Sequence, residues 1–93
     1  MVQFGMQYQP YYTLTAADYD SVGNGRFNNF DTRAGNDEET VEQRLAKINT
    51  ILKNNFPSSG QGQKYAVTYA FYDGASGTAT LNVILEGSDY ILQ

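Results

Sequence analysis

Ninety-three residues with 41% hydrophobic content suffice for one domain around one core, and eight Tyr and five Phe carry much of the buriable area. With no Cys and no His, the chain has no disulfide, no thiolate, no zinc–sulfur site, and lacks the commonest general base and metal ligand. A net charge of −4 with only six Lys and Arg argues against a phosphate-binding surface, and so against nucleic acid as a partner.

In chain order, Val2, Phe4, Met6 and Tyr8 alternate with Gln3, Gly5, Gln7 and Gln9, which predicts a strand that Pro10 ends. This start lacks the basic and apolar regions of a signal peptide. No apolar stretch approaches the roughly 20 residues of a membrane span, so no membrane insertion is expected. The next run, YYTLTAADYDSVG, reads as a helix start. Thr15 is a good N-cap with Asp18 at the capping-box position, and Leu14 and Tyr19 have the spacing of a hydrophobic staple. Asp18 and Asp20 suit the positive end of the helix dipole, and Gly23 supplies a left-handed stop, giving a helix over Ala16 to Val22. Asp18, Asp20 and Gly23 also fit the first, third and sixth positions of a calcium loop. Val22 and Asn29 occupy the fifth and twelfth, where ligands belong, so the calcium reading fails.

GNGRFNNFDTRAGN, rich in Gly and Asn, is the long loop of the fold, with Phe27 and Phe30 expected to pin it to the core. A second helix follows, capped by Asn36 or Asp37 and closed by Pro57 just beyond Phe56. Val41, Leu45, Ile48 and Leu52 form its apolar stripe, widened by Ile51. Glu38, Glu39 and Glu42 near its start and Arg44, Lys47 and Lys53 later follow the dipole. The acidic trio is expected to face water rather than a metal.

KYAVTYAFY and TATLNVILE, separated by DGASG, form a hairpin. Pairing Tyr72 with Thr78 sets Phe71, Tyr69, Val67 and Tyr65 opposite Ala79, Leu81, Val83 and Leu85 on one bulky face, with Lys64 opposite Glu86 on the other. Strands of about nine residues, roughly 30 Å, match an eighteen-residue helix of roughly 27 Å, which can cover that face. A short strand from Tyr90 to Leu92 follows the turn at Gly87 to Asp89. The expected fold is a single small α+β domain. Its small antiparallel sheet joins the N-terminal strand to the C-terminal hairpin, with one long helix on one face and one short capped helix.

Chemistry is sparse. The serines at 21, 58, 59, 76 and 88 have no His to activate them, and GNG and GQG do not have the context of phosphate loops. Asp31 and Asp73 are a conceivable glycosidic carboxylate pair, but so short a chain offers little room for a substrate cleft. No catalysis, cofactor or metal is expected. The remaining candidates lie on the polar hairpin face: Tyr72, Thr68, Thr80 and Asn82, flat enough to accept a sugar ring or a neighbouring domain. Tyr11 and Tyr12 either join this face or fill the gap between strand and helix, the second being the more ordinary use of tyrosine.

The order YxLTxxDYxxVG at 12–23, a helix ending ILKNNFP, and VxYxFYxG at 67–74 resembles an uncharacterised domain of Bacteroidetes extracellular proteins, over about residues 11–92. Those proteins are often lipoproteins or multi-domain surface proteins. The resemblance implies a secreted or cell-surface setting within a longer chain, and it carries no catalytic residues. The abrupt, strand-like ending SDYILQ agrees with excision from a longer chain; a complete natural chain would be expected in the cytoplasm. The expected function is a non-catalytic accessory module of a secreted or cell-surface protein, binding glycan or protein, with flanking domains of the same chain as further candidate partners. The alternative is a structural spacer that self-assembles through an exposed sheet edge, with Val67–Phe71 and Leu81–Leu85 as the candidate edges.

Overall fold

A computed structural model describes residues 9–35 and 38–93. The elements in order are β1 (Tyr11–Thr13), α1 (Ala16–Ser21), β2 (Phe30–Asp31), α2 (Val41–Asn55), β3 (Lys64–Tyr72), β4 (Ser76–Glu86) and β5 (Asp89–Leu92). The fold is α+β. Its five-stranded sheet runs β1-β3-β4-β5, with β2 also pairing β3. The hairpin and β5 are antiparallel, but β1 and β2 run parallel to β3, so the sheet is mixed rather than wholly antiparallel. The strand expected over Val2–Tyr8 lies outside the described residues.

One edge of β3 is occupied twice. β1 pairs with Ala66–Thr68 and β2 with Phe71–Tyr72, while α1 and its loop bulge out between them. The gap would orphan the Ala70 N–H, which donates instead to the buried Tyr19 hydroxyl at 2.8 Å. Tyr19 is therefore both a staple residue and a plug in the sheet.

Helix α1 starts as its sequence dictates. Asp18 N–H donates to Thr15 Oγ1 and Thr15 N–H to the Asp18 carboxylate, a complete capping box; Leu14 and Tyr19 are buried, and Gly23 has φ 86°. Helix α2 departs from expectation at its start. Its N-cap is Thr40, in a box with Gln43, so it is 15 residues long; Asn36 and Asp37 lie outside the described residues. Thr-x-x-Gln meets two orphan N–H groups reciprocally, and Glu38 and Glu39 are left before the helix.

The hairpin register also differs, by two residues. Tyr72 opposes Ser76, Tyr69 opposes Ala79, Val67 opposes Leu81 and Lys64 opposes Ile84, so the expected Lys64–Glu86 pair is absent and the turn is Asp73–Ala75. A two-residue slip leaves every side chain on its expected face, since the strand period is two. The bulky face packs on Ile48, Ile51 and Leu52 of α2, and Phe30, Val67 and Val83 are fully buried in the same core. Aromatic rings link it end to end: Tyr19, Phe30 and Tyr69 meet edge to face, and Phe56 stacks on Tyr65 at 5.1 Å. Phe30 pins the loop as expected; Phe27 does not, being 71% exposed.

Candidate functional site

Asp31 and Tyr72 are register partners, so strand parity sends both side chains to the open face of the sheet. Ser76, opposite Tyr72 on β4, joins them there. Two residues after Asp31, Arg33 folds back on it: Nε donates to Oδ1 at 3.0 Å and Nη2 to Oδ2 at 2.7 Å, the bidentate fork that suits a carboxylate. The same guanidinium lies over the Tyr72 ring, 5.2 Å from its centroid. Hydrogen bonds from the Arg33 side chain and backbone hold the Asp31 pKa down at about 2, so this carboxylate is a fixed acceptor and a poor proton donor near neutrality.

Phe27 and Asn29 close the far wall. Together these six residues line a cleft of about 500 Å³, within the usual range for small-ligand sites. Phe27 is an exposed aromatic wall with the Arg26 guanidinium 5.2 Å from its ring centroid.

The loop carrying Phe27, Asn29 and Arg33 is held by Glu39. Its carboxylate accepts from Asn24 Nδ2 at 2.8 Å, from the Asp31 N–H at 3.3 Å and from Lys47 of α2, whose ammonium also reaches Asn24 Oδ1 at 2.6 Å. Its backbone N–H donates to the Asp31 carbonyl at 2.8 Å. Glu39 is therefore not the solvated residue expected from the acidic trio; its side chain is 16% exposed and organises the loop.

The residues expected to form a site divide. Tyr72 is in the cleft. Thr68 and Thr80 face one another at mid-sheet, with their hydroxyls 3.3 Å apart. Asn82 lies about six residues along β4 from Ser76, roughly 20 Å away, and accepts from Gln9 at 3.1 Å. Tyr11 shares the open face opposite Ala66 and is 85% exposed. Tyr12, one residue on, points to the other face. Its ring packs edge to face on Phe56, and its hydroxyl donates to the Asp18 carboxylate and accepts from Asn55 Nδ2. Tyr12 fills the gap between strand and helix and is removed from the site.

Asp31 and Asp73 do not form a carboxylate pair: one is locked to Arg33, and the other accepts from the Ala75 N–H inside the turn. From sequence, Arg33 carries no expectation, Asn29 enters only the failed calcium reading, Phe27 is expected to pin the loop to the core, and Ser76 figures only among the unactivated serines; none of the four is expected in a binding site. The one local signal was the Asp-x-Arg spacing next to a buried Phe.

Among the described residues, no group of three or more His, Cys, Asp or Glu side chains is placed to share a metal ion, and no helix is long and apolar enough to cross a membrane. Comparison with protein-family models, curated proteins and solved structures returns no match.

Proposed function

We propose that this domain is a non-catalytic binding module that takes a glycan in the cleft between Phe27 and Tyr72. The observation that carries the reading is the pairing of two partly exposed aromatic rings with a locked Asp31–Arg33 pair, Asn29 and Ser76. Aromatic faces accept the C–H face of a sugar ring, and fixed carboxylate, guanidinium and amide groups match vicinal hydroxyls. None of these groups is poised for proton transfer or nucleophilic attack, because the cleft carboxylate is ionised and paired and the chain has no His or Cys. The resemblance to surface-protein domains of Bacteroidetes supports a secreted or cell-surface setting, where glycans are the abundant ligands.

The test is a glycan array followed by calorimetric titration of any hit, with Tyr72→Ala and Phe27→Ala as variants. Binding is expected in the weak range, with a Kd between about 1 μM and 1 mM, and each variant is expected to lose at least tenfold. A wild-type protein that binds no glycan overturns the reading. Binding that survives both substitutions places the ligand elsewhere.

A further inference from the structure

We infer that the outer edge of β4, from Ser76 to Leu81, pairs with the same segment of a second copy to form one continuous antiparallel sheet. The direction of each backbone group follows from bonds at its ends. Leu85 N–H donates to the Gln63 carbonyl, so odd residues of β4 face β3. Asn82 C=O accepts from the Gln93 N–H on the opposite side, so even residues face outward. β5 covers that side from Val83 to Glu86. Among the described residues, the outward N–H and C=O groups of Ser76, Thr78 and Thr80 make no hydrogen bond to backbone or side chain.

The other exposed edges are treated differently. On β3, Pro10, Leu14 and Thr32 serve Ala66, Thr68 and Tyr72, and the Tyr19 hydroxyl fills the gap at Ala70. On β5, the outward N–H of Tyr90 donates to Asn49 Oδ1 of α2 at 2.8 Å. Among the described residues nothing covers the β4 stretch in this way, and its sequence from Gly74 to Leu85 has no Pro and no charged residue. Lys, Pro and inward charges are the usual devices that keep an edge from pairing, and all are missing here. The edge expected at Val67–Phe71 is filled, and the one expected at Leu81–Leu85 is mostly taken by β5. Among the described residues, the segment before it is left open.

A second copy fits because the segment is self-complementary about a twofold axis. Placing Thr78 opposite Thr78 sets Ser76 opposite Thr80 and Thr80 opposite Ser76. Every outward donor on one chain then meets an outward acceptor on the other, clear of Gln93. On the open face the opposed side chains are Thr with Thr and Ser with Thr, and on the core face Gly77 meets Ala79, so no bulk or charge opposes the approach.

Sedimentation analysis over a concentration series tests this directly. The wild type is expected to pass from the 10.3 kDa chain to twice that mass below about 1 mM. Thr78→Pro removes an outward N–H without touching the ladder to β3, and Thr78→Lys places like charges across the axis; each is expected to raise the dimer Kd at least tenfold with circular dichroism unchanged. Since the chain has no Cys, Thr78→Cys gives a unique thiol, and mild oxidation is expected to link Cys to Cys between copies, while Ser58→Cys stays unlinked. A wild type that remains monomeric overturns the proposal. So does a dimer that persists unchanged in both Thr78 variants, or a Thr78→Cys protein that does not cross-link faster than the Ser58→Cys control.

Discussion

Asp18 shows how much one carboxylate can hold. It is 6% exposed, yet Oδ2 accepts from the Thr15 N–H at 2.9 Å and from the Tyr12 hydroxyl, and Oδ1 from Asn55 Nδ2 at 3.0 Å. The sequence marks Asp18 as a capping residue but gives no hint of Asn55, 37 positions away, because that contact exists only once α2 has docked. Burial alone would raise the Asp18 pKa; the hydrogen bonds from Asn55, Tyr12 and Thr15 outweigh it and pull the value below the ordinary 3.8. The stabilisation is therefore full above the ordinary carboxylate value and is lost as pH falls through the lower folded value. Asp18→Asn turns one acceptor into a donor facing donors, and urea unfolding at pH 7 is expected to show a loss of about 1.5–3 kcal/mol. The gap between wild type and variant is expected to narrow on acidification below about pH 4. The Tyr12 phenol moves the other way. Burial, then its bond to Asp18 and the carboxylate's charge, push its pKa up to about 12. Its contribution is present below pH 10 and fades as pH rises toward 12, so Tyr12→Phe is expected to flatten the alkaline limb of the melting-temperature profile.

At the scale of elements, periodicity reveals faces and not registers. Both helices, the hairpin and β5 are legible in the sequence, because stripes of three and four and alternation of two are local patterns. The register is not, since alternation is unchanged by a slip of two. What selects it is steric. A Cβ at Gly77 would lie 2.6 Å from Phe71 Cζ, so the Phe71 ring lies directly over Gly77 and any side chain there would push it aside. Gly74, with φ 110°, then closes the turn at Asp73–Ala75. Gly77→Ala forces the Phe71 ring to move and is expected to cost about 1–3 kcal/mol in urea denaturation. Phe71→Leu in the same background is expected to recover part of that loss, because the double change relieves the contact. β1 and β2 escaped the pattern altogether: two or three residues are too few to show a period, and they exist because β3 offers an edge.

At the scale of the whole molecule, α2 covers one face of the sheet, and a long loop carries half of the candidate site around to the other. Tyr72 could be placed on the open face by parity alone. Phe27, Asn29 and Arg33 could not, because a loop's path is set by tertiary bonds. Those bonds converge on Glu39, which joins Asn24 and Asp31 in the loop to Lys47 on the helix. Glu39→Gln keeps the shape but removes the charge that Lys47 faces, and an expected loss of about 1.5–3 kcal/mol follows from weakening hydrogen bonds to a charged group. The informative comparison is local against global. Hydrogen exchange is expected to accelerate between Asn24 and Arg33 more than in β3 and β4, whose ladders do not depend on Glu39. If the cleft needs this loop in place, glycan affinity is expected to fall in Glu39→Gln although no cleft-lining side chain has changed. Equal acceleration across loop and sheet would instead mean that Glu39 stabilises the fold as a whole and does not position the site.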